Sequence, residues 1–296
     1  VKLIALALGL ALEHFATQLL HLRELRWFDR YYDFALARLK QAPVWAIHAG
    51  VLFIILVPAV PVFVADYMLR EPGVLWNPDY LLFAVLVVFL CLGPRDLGTE
   101  VDDYCAALDA DDIETARRVL VEMSEAQKPW VGDTEAVEHA IFVQAVNRIF
   151  GVVFWFVALG PVGAWLFRVS DLLRRRAAFE SVRDAGLADP ILPAIEAVYG
   201  TLKWIPARLA MLGYALSGSF DDALNAWRSY GAEPSSPVDR RNDELTARVG
   251  KAAMTGYLEQ PTNSSAAAHH AMRLVTRTLF IWVTIIALMT IFGWAV

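Results

Sequence analysis

The chain has very little cysteine, no strand-like alternation and no phosphate-cradling glycine loop, and each shortage removes a class of protein. Only Cys91 and Cys105 occur in 296 residues. Both fall on or near the expected cytoplasmic side, so no disulfide framework is expected. Without alternating apolar and polar residues there is no basis for a sheet. Without a Walker-type loop there is none for a P-loop nucleotide enzyme. Positive charge is not in excess either. The formal net charge of −6 speaks against a dedicated nucleic-acid binder. What the chain does have is apolar mass: hydrophobic residues make up 57% and charged ones only 20%, with a mean hydropathy of +0.44. The charges gather outside a few long apolar blocks, so the expected fold class is all-α, a polytopic helical membrane protein.

One apolar block differs from the others. Ile149–Phe167 is uncharged for 19 residues but is interrupted by Gly160-Pro161-Val162-Gly163. Arg148 precedes it, and Arg168 and Arg174-Arg175-Arg176 follow it. A straight span would put one set of arginines on the outer side, against the tendency of Lys and Arg to stay cytoplasmic. A break at Gly-Pro-x-Gly lets the chain enter and return, and irregular backbone at that depth is tolerated only where protein or a wet cavity satisfies it. The segment 149–167 is therefore read as re-entrant and as the place to look for function.

The other spans are read at about 1–20, 41–65, 80–93 and 278–296, all within a single domain, 1–296. Tyr80–Gly93 is short enough to be a buried helix instead. Glu13 interrupts the apolar core that a signal peptide would need, so the first block is read as a retained helix. Leu22–Ala42 holds five Lys/Arg, and Asp66–Asp79 only Arg70. The first is thus expected inside and the second outside. The parts 94–148 and 168–277 are expected to be cytoplasmic and helical. Asp111–Glu114 and Asp133–Glu135 open two of these helices, acids suiting a positive helix N-terminus. Ala194–Lys203 and Pro206–Leu216 read as two halves bent at Trp204–Pro206, with Pro206 at the first position of the second. Glu233–Pro237 and Gln260–Ser265 carry loop chemistry and are expected to be the most mobile parts.

Several residues carry two readings. Glu13 and His14 are ionisable groups inside an apolar helix, either functional or at headgroup level on a tilted helix. Glu138, His139, Asn147 and Arg148 put polar groups on the helix entering the break, which capping and snorkelling also explain. His269-His270, read as part of a Ser/Ala-rich loop, lacks the further ligands a metal needs. The acidic run Asp102-Asp103 and Asp109–Asp112 reads as a solvated face, and Arg174–Arg176 as a topology determinant touching anionic headgroups.

The run Glu138–Leu173, EHAIFVQAVNRIFGVVFWFVALGPVGAWLFRVSDLL, followed by WIPARLAMLGYALSG from Trp204 to Gly218, resembles the CobD/CbiB superfamily. Ala107–Leu120 is similar to the helix that those enzymes place before their active-site segment. Within the superfamily the chain looks most like the AmpE branch, through LALEHF, LRELRWFDRYYDF, GSFDDALNAW and the closing ALMTIFGWAV. The likeness covers nearly the whole chain. It implies an inner-membrane accessory linked to AmpD-type amidases, cell-wall recycling and β-lactamase induction. The better-known members are adenosylcobinamide-phosphate synthases, whose Val-Glu-Ser-x-Ala-Glu-Asn-x-x-Asp-Gly segment is matched here by Asn147 and Gly151 but with Phe150 in place of the Asp. Asp171 and Arg174 stand where those enzymes have Asn and Asp. A condensation using ATP and a divalent cation needs carboxylate ligands, and most are missing.

The expected function is therefore a signalling or accessory role, with Glu13, Asn147, Gly160, Gly163, Asp171 and Arg208 bounding a ligand pocket. No catalytic residue, metal or cofactor is expected. The expected partners are membrane lipids, the AmpD-type amidase pathway or a membrane complex, and further copies of the chain; no nucleic acid is expected. An active synthase with relocated acids (Glu13, Glu138 and Asp171) is the alternative reading, and a structural subunit of a larger membrane complex is another.

Overall fold

The computed structural model describes residues 2–15, 27–70, 77–93, 96–124, 133–184, 190–231, 237–255 and 263–292. These residues are mostly helical, with no strand among them. In chain order the helices are α1 (Lys2–Phe15), α2 (Trp27–Leu39), α3 (Ile47–Leu56), α4 (Ala59–Leu69), α5 (Pro78–Cys91), α6 (Leu97–Asp109) and α7 (Ile113–Ser124). Then come α8 (Thr134–Ala145), a π-helical segment Val146–Phe150, α9 (Gly151–Leu159), α10 (Pro161–Ser181), α11 (Ile191–Ser217), α12 (Phe220–Arg228), α13 (Val238–Met254) and α14 (Ser264–Ile291).

Local chemistry sets most of the helix starts. Asn77 accepts from the backbone N–H groups of Asp79 and Tyr80, ahead of Pro78 in the first turn of α5. Asp96, Asp112, Asp133 and Asn263 accept N–H groups in the same way at α6, α7, α8 and α14, satisfying donors that a helix leaves open.

Two stretches are each long and apolar enough to cross a membrane as single helices, Thr134–Leu159 and Ser264–Ile291. The first is mostly enclosed by protein, whereas the second exposes most of its apolar window. The span expected at 41–65 is bent: Val44–Leu56 and Ala59–Leu69 meet at 45° across Val57-Pro58. Proline supplies no N–H to the helical ladder and crowds the preceding turn, which accounts for the bend. Trp45, Phe53, Phe63, Met68 and Leu82 on this side, with Phe280, Ile285 and Leu288 on α14, remain exposed. They form the apolar surface a bilayer requires.

Two buried cores share the long helices. One gathers Leu6, Tyr32, Val51, Val88, Phe156, Phe167 and Tyr199 among the spans. The other gathers Tyr104, Leu120, Phe142, Phe150, Tyr214, Val249 and Val275 from α6–α8, the π-helical segment and α11–α14.

The chain turns back at Gly160, as the Gly-Pro-x-Gly pattern predicts. Its φ of 73° and ψ of −158° lie in a region essentially reserved for glycine, and Pro161 starts α10. Helices α9 and α10 lie antiparallel and close together. A Cβ on Gly163 would collide with the Trp155 carbonyl oxygen, and one on Gly151 with the Phe167 ring. The turn lies beside Asp66, Arg70 and Tyr80, with Arg70 Nη2 3.5 Å from where a Gly160 Cβ would sit. The tip is therefore level with the α4–α5 connection.

Three other expectations are corrected. Helix α11 runs unbroken through Pro206, so Pro206 does not begin a second helix. His269 and His270 lie inside α14 and not in a loop. Ser264 and Ser265 likewise belong to α14, while residues 256–262 and 232–236 lie outside the described residues, as do 16–20 of the first expected span.

Candidate functional site

Where the two cores meet, α7, α8, the π-helical segment, α10 and α13 border a half-open cavity of about 860 Å³. That is within the size range of small-molecule sites. The π-helical segment places Asn147 and Arg148 inside the protein, 2% and 3% exposed. A single π turn within an α-helix is often found at functional sites, because it turns side chains away from the regular register.

A continuous polar network runs behind the cavity wall. Arg148 donates to Glu100 at 2.7 Å and to Gln144 at 2.9 Å. Gln144 also accepts from Arg175 at 3.2 Å, and Arg175 donates to Asp171 at 2.9 Å. Asp171, fully buried, accepts from Arg168 at 3.1 Å and Arg174 at 3.0 Å as well. Lys203 joins Asp239 at 3.2 Å and also pairs with Asp243, while Arg174 reaches Asp239 at 3.8 Å. Tyr199 donates to Asn147 at 2.9 Å and stacks on Phe167. Arg174 lies over the Tyr199 ring at 4.9 Å, a placement attractive for a cation. Burial pushes the Asp243 carboxyl up to about 6, with Lys203 opposing and Asp239 adding to the rise.

The cavity surface is more basic than this network. Among the described residues, its charged or ionisable lining groups are Arg174, Arg175, Arg183, His139 and Asp243. Met123, Val143, Phe179 and Val182 form an apolar wall beside them.

The structure brings together only part of the expected pocket. Asn147 lines the cavity and Asp171 lies behind it, joined through Arg175. Gly160 and Gly163 are at the far end of the hairpin. Gly160 is about 20 Å from Asn147 along the helix axis at 1.5 Å per residue, so the glycines shape the turn and not the cavity. Arg208 does not stand at a helix N-terminus. It lies within α11 over the Trp204 ring at 4.8 Å and donates to Asn242. Glu13 lies in α1, but its side chain is outside the described residues.

Sequence reading also missed residues. Arg174 and Arg175 turn into the protein and not toward headgroups, while Arg176 forms a two-pronged pair with Asp33 at 2.7 and 2.9 Å. Asp239, Asn242 and Asp243 come from α13. Their i, i+3, i+4 spacing on one face was a legible signal. Gln144 sits one turn before Arg148, which also marks a shared face. The acidic run does behave as a solvated face, with Asp102, Asp103, Asp109, Asp111 and Asp112 exposed.

Comparison with known proteins places the chain in a family. The family described as "Regulatory signalling modulator protein AmpE" matches residues 1–296. The chain is 28% identical to a "Cobalamin biosynthesis protein CobD" of Stutzerimonas stutzeri over 169 residues, 56% of this chain and 53% of that protein. It therefore spans about half of that relative's length. A second protein of that name, from Chromobacterium violaceum, is 24% identical over 68% of this chain and 69% of its own length. "Protein AmpE" of Shigella flexneri is 25% identical over 75% of this chain and 77% of its own length. No solved structure matches.

Proposed function

The chain belongs to the AmpE family, and from that membership we propose an inner-membrane signalling accessory of cell-wall recycling and β-lactamase induction. It acts by binding a ligand or partner in the cavity between α8, α10 and α13. The AmpD-type amidase pathway or a membrane complex is the proposed recipient of the signal.

One observation carries the binding reading over metal-assisted condensation. Asp171, the carboxylate in the α10 motif, holds Arg168, Arg174 and Arg175, and Asp239 and Asp243 share Lys203. A divalent cation takes several carboxylate or carbonyl oxygens, and here it would have to displace basic groups from each carboxylate. Among the described residues no group of three metal-capable side chains stands together. The donor set does not fit a divalent ion, and no step is assigned through one.

The test is genetic. Deleting the gene in its native host should alter β-lactamase induction by a β-lactam, and restoring it should reverse the change. Ala178→Trp, which fills the cavity from its partly exposed wall, should fail to restore it while reaching normal membrane abundance. Unchanged induction in the deletion strain would sink the proposal. The CobD likeness supplies the competing reading, and growth of a synthase-deficient strain on this gene alone would establish it.

A further inference from the structure

We propose that α11 is a membrane-contacting helix: its face formed by Ile205, Leu209, Leu212 and Leu216 lies against the acyl chains of bilayer lipid. The sequence puts this helix in the expected cytoplasmic part 168–277, and Glu196, Lys203 and Arg208 keep it from reading as an apolar span. The contact is with lipid alone and does not depend on what the cavity binds.

The face comes from the helix period. Ile205, Leu209, Leu212 and Leu216 follow at spacings of four, three and four, which gathers them along one side. All four are exposed, as is Trp204 at the edge of the strip. The other side of α11 is committed to α13. Asn242 donates to the Gly200 carbonyl oxygen at 2.8 Å, Lys203 pairs with Asp239 and Asp243, and Arg208 donates to Asn242. Gly200 lets the two backbones touch, since a Cβ there would lie 2.5 Å from the Asp239 nitrogen. Beyond that contact, Arg240, Glu244, Arg248 and Lys251 on α13 are exposed and need water. Helix α11 therefore has a hydrated neighbour on one side and a bare apolar strip on the other, the layout of a helix at a membrane boundary.

Continuity with α14 says what covers the strip. Helix α14 is long and apolar enough to cross a membrane and exposes most of its apolar window. Gly213 brings α11 against it: a Cβ there would sit 2.4 Å from Thr278 Cγ2, and the Ser217 and Thr278 hydroxyls meet at 3.0 Å. Leu209, Leu212 and Leu216 then share one apolar groove of about 370 Å³ with Phe154, Ile281 and Ile285. Ile285 is itself exposed on α14, so the two surfaces are one. Acyl chains that surround α14 reach the groove and the α11 strip without crossing a polar group. Trp204 and Arg208 stand together at the edge of the strip, the guanidinium 4.8 Å from the ring centre. An indole and a long cation suit headgroup level.

Spin labels on the full chain test the contact. Cys91 and Cys105, both buried, are replaced by alanine, and single cysteines are introduced as Leu212→Cys, Leu216→Cys, Phe280→Cys and Arg240→Cys. Phe280, exposed on α14, is the lipid reference, and Arg240, exposed on α13, is the water reference. Each labelled protein is placed in phosphatidylcholine nanodiscs holding one copy, and label collisions with oxygen and with a charged nickel chelate are measured. Oxygen enters hydrocarbon, whereas the charged chelate stays in water. The oxygen-to-nickel ratio at Leu212→Cys and Leu216→Cys should shift to the level at Phe280→Cys, well above that at Arg240→Cys. A ratio at both strip positions equal to that at Arg240→Cys puts the strip in water and overturns the inference. Loss of both kinds of collision at the strip, with Phe280→Cys still open to oxygen, means that protein covers it and overturns the inference equally.

Discussion

The Trp155 indole N–H donates to the Leu202 carbonyl oxygen at 3.1 Å, the acceptor that Pro206 leaves without its helical partner. Proline has no N–H to give to the residue four positions earlier. A side chain from α9 supplies that donor instead, which helps α11 to run on through Pro206. Trp155→Phe should therefore cost about 1 kcal/mol of stability, the scale of one hydrogen bond at a sheltered carbonyl. In a Pro206→Ala background the backbone donor returns and the same substitution should cost much less. Thermal unfolding of the four proteins in one detergent measures this, and equal costs in both backgrounds would dismiss the relationship.

Arg148 and Glu100 form a buried pair at 2.7 Å, with side chains 4% and 7% exposed. Arg148→Met leaves the Glu100 carboxylate inside without its cation and should cost about 3–5 kcal/mol. Adding Glu100→Gln removes the stranded charge and should recover most of that loss. Denaturant titration of the single and double variants is the check; a double variant no more stable than Arg148→Met would refute the pairing.

The turn at Gly160 makes a prediction about sidedness. If α9 and α10 enter and return, the C-terminal end of α10 faces the cytoplasm and the α4–α5 connection faces outward. Cysteine at Val182, which is 67% exposed, should resist an impermeant thiol reagent applied to intact cells, and cysteine at Asp79 should react. Cys91 and Cys105 are buried, so background labelling should be low. Ser170 makes a poor probe because it is only 1% exposed. Labelling of Val182→Cys from outside would make 149–167 a one-way span.

Asp243 gives stability a pH dependence. Its carboxyl is raised from an ordinary 3.8 to about 6, so the folded protein holds a proton that the unfolded chain has released between those values. Stability from this group is present below the lower value and is lost as pH rises toward 6. Asp243→Asn should flatten that part of the profile and leave Lys203 paired with Asp239. Unfolding midpoints measured from pH 4 to 7 test it, and superimposable profiles for the two proteins would refute it.

Much of the architecture was legible because it depends on short-range chemistry. The apolar blocks announced a helical membrane protein, Gly160-Pro161 announced a turn, and Asp112, Asp133 and Asn77 sit at helix starts where their side chains meet nearby backbone N–H groups. The likeness carried by the Glu138–Leu173 run pointed to the family. Depth and partnership were not legible. The sequence presents Arg174, Arg175 and Arg176 as one cationic run, yet the helical rotation between them sends the first two inward and the third to Asp33.

Glu100 lies 48 positions from Arg148, and Asp239 lies 36 from Lys203; no local signal connects such pairs. Even the Pro206 kink expected from sequence was decided by tertiary structure, through the Trp155 donor on another helix. The sequence by itself determined the helices, their caps and the place where the chain reverses, because those energies lie within a few residues. Only the tertiary structure decided which charges pair behind the cavity wall, because that depends on how separate helices pack, and burial then makes an unpaired charge costly enough to fix the arrangement.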